Sequence, residues 1–437
     1  MIEPLSIPDI AIDDIAVGDI VIDDDQDLGY RRSGPLQERF LAASETLVRS
    51  DGWPNPSNND ERELMADLAL EGGGVKGIGL VGAVLVLSEA GYSFRGVAGT
   101  SAGAIAAALV AALSKQPKGS MAKLREYLGS LDFARFMPEG KIHEFLDHHG
   151  GEAGTLVADA AILATRMGLY PGGYLHEWLS PILQSDLGVT TFGDLELTEA
   201  DDPEINSLPP GHNYRLLVHT SDITRGQLVH LPWDYPLYGF DKPGGQDVIH
   251  AVRASMSIPF FFEPVTFTAK AADVTVPTPG GGTIEQHYDS GTVTWVDGGM
   301  LRNFPINAFD RVDGEPARWP TIGVKLSSLQ TQFPGTRACE STLAEGVRCL
   351  RTMMNEWDSY AVDEATAART IFVDNGGLTA TDFDLTQDQQ DMLFLNGVRS
   401  ATQFVIEMAK VEGVPRTAMQ AESLMRARRG TSSPGAT

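Results

Sequence analysis

Two stretches of the chain share one order of elements: an apolar run, a glycine-rich turn and an apolar helix. Residues 64–70 are predicted to form a buried strand, followed by a glycine-rich turn and a helix over 79–90. A second strand at 94–98 leads through another glycine-bracketed turn into a helix of small residues at 102–113. Repeated strand, turn and helix units indicate an α/β fold with a parallel, doubly wound sheet. Ligands of such sheets bind at the carboxyl ends of the strands, where both turns lie.

The remaining pattern divides the chain into three regions. Residues 115–187 are predicted to be helical without a strong strand, and an exposed hairpin loop is predicted at 277–282. From residue 335 onwards the pattern alternates helix with loop. We assign 1–60 to an acidic, partly disordered N-terminal extension, 61–410 to one catalytic domain, and 411–437 to a basic, disordered tail. Further strands are predicted at 214–220, 227–231, 265–267, 293–296 and 321–326.

Charge and composition exclude several classes of protein. The 437 residues include 59 acids against 33 Lys plus Arg, a formal net charge of −26, which does not suit nucleic-acid binding. Two cysteines, Cys339 and Cys349, cannot form a disulfide framework and favour a reducing compartment. No secretory signal and no apolar run of about 20 residues is visible. We therefore expect a soluble, cytoplasmic protein that meets membranes only from the surface.

The N-terminal extension carries nine acids and no Lys or Arg before residue 28. It contains three apolar, acid-punctuated units of five residues, which suit either a strand laid on the body or a sticky tail. Asp23, Asp25 and Asp27 have the first spacings of a calcium loop. However, Leu28 stands where that loop needs Gly, and Gly34 stands where it needs Glu. A solvated acidic run is therefore the preferred interpretation, and no metal site is predicted.

The segment Gly99-Thr100-Ser101-Ala102-Gly103 has the pattern of a nucleophile elbow. Between a strand and a helix this turn is so tight that only glycine fits on either side, and the serine projects alone. Ordinary turns are also rich in Gly and Ser, so the motif alone leaves a structural turn open.

A second glycine-rich turn, Glu71-Gly72-Gly73-Gly74-Val75-Lys76-Gly77, follows the first predicted strand. Consecutive backbone N–H groups at a helix start bind anions, either a nucleotide phosphate or the oxyanion formed during acyl transfer. The phosphate interpretation is weaker because neither the P-loop nor the dinucleotide spacing is present. Lys76 either adds positive charge at this site or is a solvated residue of the helix N-terminus.

The base that would activate Ser101 is predicted to be an aspartate. All nine histidines precede Ser290 and none lies in a catalytic histidine loop, so we expect them to be surface or hydrogen-bonded residues. Asp297 ends a predicted strand and enters the Gly298-Gly299 turn, although this sequence also suits a plain turn. Apolar neighbours such as Trp295 would raise the pKa of its carboxyl towards that of a useful base.

Three segments resemble, in this order, the motifs of the patatin-like phospholipase family: Gly72–Gly77, Gly99–Gly103 and Asp297–Gly299. The members of that family are lipid acyl hydrolases with a Ser-Asp dyad. Residues 254–264, 303–305 and 381–385 are similar as well. The resemblance implies a three-layer α/β/α fold with a mostly parallel central sheet and a helical insert. It also implies Ser101 as nucleophile, Asp297 as base and a lipid substrate, without cofactor or metal. The implied oxyanion loop is Gly72, Gly73, Gly74 and Val75; the implied supporting residues are Lys76, Gly77, Gly99, Gly103, Gly298 and Gly299.

Some alternatives stay open at this stage. The three residues Phe260–Phe262 are interpreted as core strand in preference to an acyl channel. Residues 115–187, with a glycine hinge at 170–174, are predicted to act as a lid. The family fold also suits a silent lipid-binding module, or a bacterial phospholipase effector switched on by a nucleotide or partner, with the acidic extension as the regulated part. That extension would pair with the basic cluster Arg426–Arg429 or restrain access to the bilayer.

Overall fold

The computed structural model describes residues 20–22, 30–32, 64–117, 119–136, 168–170, 172–202, 205–277, 282–311, 318–326, 364–378 and 385–410. The predictions for the calcium spacing, both cysteines, the basic tail and most of the acidic extension fall outside these residues. Within the extension, β1 (Ile20–Ile22) pairs antiparallel with β2 (Tyr30–Arg32).

Twelve further strands are described. They are β3 (Leu64–Leu70), β4 (Tyr92–Thr100), β5 (Gly168–Tyr170), β6 (Leu216–Asp222), β7 (Gln227–Leu231), β8 (Phe260–Phe262), β9 (Val265–Ala269), β10 (Ala272–Pro277), β11 (Thr283–Tyr288), β12 (Gly291–Asp297), β13 (Thr321–Lys325) and β14 (Thr370–Phe372).

Eight of these strands form a mixed sheet in the order β14-β13-β3-β4-β6-β12-β9, with β7 also pairing with β6. The five strands from β14 to β6 are parallel, whereas β7, β12 and β9 are antiparallel to their neighbours. All seven residues of β6 are buried, as expected for a central strand that is covered on both faces. The sheet is flanked by helices, so the predicted α/β fold with a mostly parallel central sheet is confirmed.

The helices are α1 (Ile78–Glu89), α2 (Ala102–Leu113), α3 (Lys123–Gly129), α4 (Gly173–Ser180), α5 (Val248–Ser255), α6 (Glu364–Ala368) and α7 (Gln387–Lys410). Helices α1 and α2 directly follow the two glycine-rich turns and are buried along almost their entire length. A helix that is apolar on all sides must be covered on all sides. The main core therefore surrounds these two helices, while Ala69, Phe304 and Ile306 form a second, smaller apolar cluster.

Helix α7 crosses α1 at very short distance because both helices carry glycine at the contact. A Cβ atom on Gly82 would lie 2.2 Å from the carbonyl oxygen of Phe394, and one on Gly397 would lie 2.1 Å from that of Gly79. Among the described residues, no helix has the length and apolar character needed to cross a membrane.

The predicted elements agree with the structure in different degrees. The bounds of β3, α2 and β7 are those predicted. Strand β6 begins two residues later than predicted and ends at Asp222, because its polar end is held by pairing with β7 and β12. Two predictions were wrong. The stretch 115–187 contains strand β5, which pairs with β8, and the region from residue 335 onwards contains strand β14, which pairs with β13.

Candidate active site

The turn around Ser101 connects the end of β4 to the start of α2. Ser101 has φ 54° and ψ −125°, a conformation that non-glycine residues rarely adopt, and its exposure is 3%. A Cβ on Gly99 would lie 2.2 Å from the carbonyl oxygen of Gly103, and one on Gly103 would lie 2.4 Å from that of Leu70. Glycine is therefore required on both sides of the serine.

Strands β4 and β12 bring Ser101 and Asp297 to one place on the sheet. The last residue of β4, Thr100, pairs with His219 of β6, and the last residue of β12, Asp297, pairs with the next residue, Thr220. Because β4 is parallel and β12 antiparallel to β6, the two strands run in opposite directions on either side of β6, and their carboxyl ends reach the same level of the sheet. Gly298 allows this approach, since a Cβ there would lie 2.3 Å from the carbonyl oxygen of His219.

The carboxyl group of Asp297 is completely buried. Its Oδ1 accepts a hydrogen bond from the N–H of Gly299 at 2.7 Å, whereas Oδ2 has no hydrogen bond of regular geometry with the described residues. Burial raises the pKa of Asp297 to about 7, an effect that the nearby Ser101 hydroxyl and the Gly299 N–H oppose in part. The carboxyl is thus poised to exchange a proton near neutral pH, and Oδ2 is the oxygen available for that exchange.

The turn after β3 is fixed by Asn303. The N–H of Gly72 donates to the carbonyl oxygen of Asn303 at 3.0 Å, and Nδ2 of Asn303 donates to the carbonyl oxygen of Gly72 at 2.9 Å. The backbone N–H of Gly72 is therefore already bonded and cannot donate to an oxyanion. The predicted oxyanion donors that remain are the N–H groups of Gly73, Gly74 and Val75. Gly74 has φ 55°, and a one-turn helix over Gly74–Gly77 follows. The other predicted members, Gly73, Val75 and the partly exposed Lys76, lie in this same turn.

A buried ion pair lies under the same turn. Lys325, the last residue of β13, donates to Oε1 of Glu71, and the N–H of Leu326 donates to Oε2. Glu71 and Lys325 are 5% and 4% exposed, so the charges have little contact with solvent. The turn is thereby tied to the end of the neighbouring parallel strand. Sequence reasoning assigned no role to either residue, because nothing local links two positions so far apart in the chain.

A small apolar cavity opens beside Ser101. It has a volume of about 30 Å³, and the rings of Phe136 and Phe262 meet edge to face in its wall at 5.9 Å. Phe261 and Phe262 are buried as predicted for core residues, whereas Phe260 is 38% exposed. Phe262 belongs to both the core and the cavity wall. The cavity is lined by Gly74, Ser101, Ala102, Ile105, Phe136, Met256, Ile258 and Phe262.

His219 is an exception to the expectation that the histidines are surface or hydrogen-bonded residues. It is 1% exposed, and neither ring nitrogen makes a hydrogen bond of regular geometry with the described residues. Burial holds the pKa of His219 well below its ordinary value, and the ring of His230 packs against it at 4.8 Å. The backbone of Arg302 is the polar group that partly opposes this effect of burial on the pKa of His219.

No cluster of three or more His, Cys, Asp or Glu side chains suited to a metal is found in the described part of the chain. The described chemistry at this site consists of one serine, one buried carboxyl group and the backbone N–H groups of a glycine-rich turn.

Comparisons with known proteins cover most of this region. The profile described as "Patatin-like phospholipase" matches residues 68–310, more than half of the chain. A Bacillus subtilis (strain 168) protein called "Uncharacterized protein YqhO" is 32% identical over 342 residues, which are 78% of this chain and 98% of the relative.

Two solved structures are similar at lower levels of identity. VipD from Legionella pneumophila is 17% identical with a TM-score of 0.39, over 78% of this chain and 66% of VipD. The heterodimeric ExoU–SpcU complex from the type III secretion system of Pseudomonas aeruginosa contains a chain that is 18% identical with a TM-score of 0.33. That match covers 85% of this chain and 60% of the other. This chain thus spans somewhat less than two thirds of each of these proteins.

Proposed function

Because the chain belongs to the patatin-like phospholipase family, we propose that it is a lipid acyl hydrolase that cleaves fatty-acyl esters through an acyl-enzyme on Ser101, with Asp297 as the base. The observation that carries this proposal is that β4, which leads into Ser101, and β12, which ends at Asp297, stop beside consecutive residues of the strand between them, β6. Contact with a lipid surface follows from the proposed substrate class.

In the acylation step, Oδ2 of Asp297 accepts the proton of the Ser101 hydroxyl while Oγ attacks the acyl carbon. The N–H groups of Gly73, Gly74 and Val75 donate to the oxyanion that forms on the carbonyl oxygen. The proton then passes from Asp297 to the leaving alcohol, and the acyl group stays on Oγ. In the second step, Asp297 deprotonates water, which attacks the acyl carbon, and the proton returns to Oγ of Ser101.

Three features of the site support this assignment. The pKa of Asp297, raised by burial to about 7, suits a base that works near neutral pH. The apolar cavity beside Ser101 places apolar side chains next to the acyl end of a bound ester, although its volume of about 30 Å³ is too small to hold a whole acyl chain. The tight turn that presents Ser101 depends on its flanking glycines, because a Cβ at either position would clash with backbone carbonyl oxygens.

The test compares fatty-acid release by the full chain and by Ser101→Ala, with a mixed lipid extract and with p-nitrophenyl esters as substrates. We expect Ser101→Ala to fold normally and to lose all release above the uncatalysed background. Ser114→Ala is the matched control: this serine caps the other end of α2, where its hydroxyl bonds to Val110, and its loss should leave turnover unchanged. A folded Ser101→Ala protein that still releases fatty acid would exclude Ser101 as the nucleophile.

A further inference from the structure

The segment that ends α5, Arg253–Ser257, contacts the backbone of both proposed catalytic residues. The N–H of Ser101 donates to Oγ of Ser255 at 2.9 Å. Two residues further on, the carbonyl oxygen of Ser257 accepts a hydrogen bond from the N–H of Asp297, also at 2.9 Å. One short segment thus connects the nucleophile turn with the end of the strand that carries the base.

The bond to Ser255 acts on a residue that needs support. Ser101 has a positive φ, which an L-residue adopts only where its surroundings hold it there. Ser255 is fully buried, and its hydroxyl is the partner of the Ser101 N–H. Without that hydroxyl the buried N–H would lose its acceptor, and the turn would be free to relax towards a more common conformation.

The segment itself is held rigidly. The hydroxyl of Ser257 donates to the carbonyl oxygen of Arg253 at 2.8 Å, and Nη1 of Arg253 donates back to this hydroxyl. Nη2 of Arg253 donates to the carbonyl oxygen of Glu263 at 2.7 Å. The guanidinium also packs against Gly172 before α4, where a Cβ would lie 2.3 Å from Nε. The Arg253–Ser257 segment therefore forms a fixed support from which Ser255 reaches Ser101.

We propose that Ser255 is a positioning residue. Its hydroxyl holds the backbone N–H of Ser101 and so directs the Ser101 hydroxyl towards the carboxyl group of Asp297. The backbone N–H of Asp297 is in turn held by the carbonyl oxygen of Ser257. This inference rests on the proposed function, since it assigns a role relative to the nucleophile and the base. It does not make Ser255 a proton carrier, because its contact is with a backbone amide. Ser257 acts through its main chain, whereas Ser255 acts through its side chain and is the residue that substitution can test.

The experiment measures kcat, KM and the rate at which a fluorophosphonate probe labels Ser101 in Ser255→Ala, Ser255→Cys and Ser255→Thr. Ser255→Ala should lower kcat and the labelling rate together by about a hundredfold, as expected when a reacting group is displaced, with KM within about twofold of wild type. Ser255→Thr keeps the hydroxyl and should stay within about fivefold of wild type, while the weak acceptor in Ser255→Cys should give an intermediate rate. The pH midpoint of kcat/KM should stay unchanged in all three variants.

The matched control is Thr402→Val, which removes a buried hydroxyl bonded to Val398 within α7 and should leave kcat unchanged. If Ser255→Ala fails to fold, the comparison of Ser255→Cys with Ser255→Thr decides. The proposal is overturned if Ser255→Ala has wild-type kcat, or if the Cys and Thr variants label equally fast. If Ser101→Ala retains hydrolysis, the proposed function itself fails. Normal kcat in Ser255→Ala beside a dead Ser101→Ala overturns only the positioning role.

Discussion

Asn303 and Gly72 exchange two hydrogen bonds, one from each residue, and so join the two loops that carry the proposed catalytic groups. The N–H of Gly72 donates to the backbone of Asn303, and the side-chain amide of Asn303 donates back to the carbonyl of Gly72. Asn303 follows Asp297 by six residues, whereas Gly72 opens the proposed oxyanion turn. The base and the oxyanion donors therefore cannot shift independently of each other.

Gly72→Ala tests how tightly this junction is packed. A Cβ at residue 72 would lie 2.2 Å from Oδ1 of Asn303 and 3.1 Å from Cβ of Ser101, so the Asn303 side chain or the turn must shift beside the nucleophile. We expect kcat to fall by about a hundredfold or more, since small displacements of reacting groups have effects of this size. The measurement is steady-state ester hydrolysis. Gly129→Ala is the control, because a Cβ at the end of α3 meets nothing within 4 Å; equal effects of both changes would contradict the packing argument.

Asn303→Asp tests the side-chain bond separately. The substitution keeps the shape but sets a carboxylate oxygen against the carbonyl oxygen of Gly72, in place of the amide donor. We expect kcat to fall by about tenfold or more and the protein to unfold at lower temperature, because a hydrogen bond becomes a repulsion. Asn307→Asp serves for comparison, since its Oδ1 accepts from Arg369 and a carboxylate preserves that bond. Wild-type kcat in Asn303→Asp would show that this bond does not shape the site.

The pH dependence of activity should report the titration of Asp297. The base must be ionised to accept a proton from Ser101, and burial raises its pKa to about 7. We therefore expect kcat/KM to rise with pH and to level off above a midpoint near 7, measured between pH 5 and 9 with a neutral ester substrate. A midpoint near 4, typical of an exposed aspartate, would contradict the desolvated carboxyl described above.

Asp297→Asn should remove the activity and stabilise the fold at neutral to alkaline pH. A carboxyl with a higher pKa in the folded than in the unfolded chain binds more protons when folded, so the free energy of unfolding falls as pH rises from about 4 to 7. Asparagine does not titrate. At pH 8 we expect the free energy of unfolding of the variant to exceed that of wild type by about 2 to 4 kcal/mol, and this difference should shrink to about zero at pH 4.

Urea unfolding of both proteins at several pH values provides that measurement. The pKa of Asp67 is also raised to about 7 by burial, but Asp67 is present in both proteins, so their difference isolates residue 297. A difference that does not change with pH would argue against a raised pKa at Asp297.

The buried pair Glu71–Lys325 should behave as one unit. Replacing only one partner leaves a buried charge without its counterpart, so Glu71→Gln or Lys325→Met should each cost about 3–5 kcal/mol of unfolding free energy. The double variant should lose less than the two single losses together. Chemical denaturation of all four proteins gives the coupling free energy, and strictly additive losses would show that the two charges act separately.

Sequence reasoning predicted what is encoded locally and missed what depends on distant partners. The elbow at Ser101 and the acid before Gly298 are recognisable because the chemistry and the tight turns demand particular residues at adjacent positions. Ser255 and Lys325 reach the site from about 150 and 250 residues away along the chain. The resemblance covers the stretch 254–264 but assigns Ser255 no role, and a lysine at a strand end has many ordinary uses, so no short pattern marks Lys325.

The same distinction holds for the elements of the fold. Strand β3 and helix α2 were predicted with correct bounds, because each is an apolar run, interrupted in β3 only by Asp67, that is bounded by glycine or polar residues. The three-residue strands β5 and β14 were missed. Each is too short to show a period, and each exists through pairing with one distant strand.

The close crossing of α1 and α7 implies that the part of the chain needed for folding is longer than the part that carries the proposed catalytic groups. The three motifs that carry the proposed catalytic groups lie before residue 310, where the family profile ends, yet α7 at Gln387–Lys410 covers the apolar helix that starts directly after the oxyanion turn. A protein trimmed to its motifs would retain each reacting group but would expose α1 to water. Insolubility of such a fragment would therefore reflect the loss of α7, and would say nothing about the catalytic role of Ser101 or Asp297.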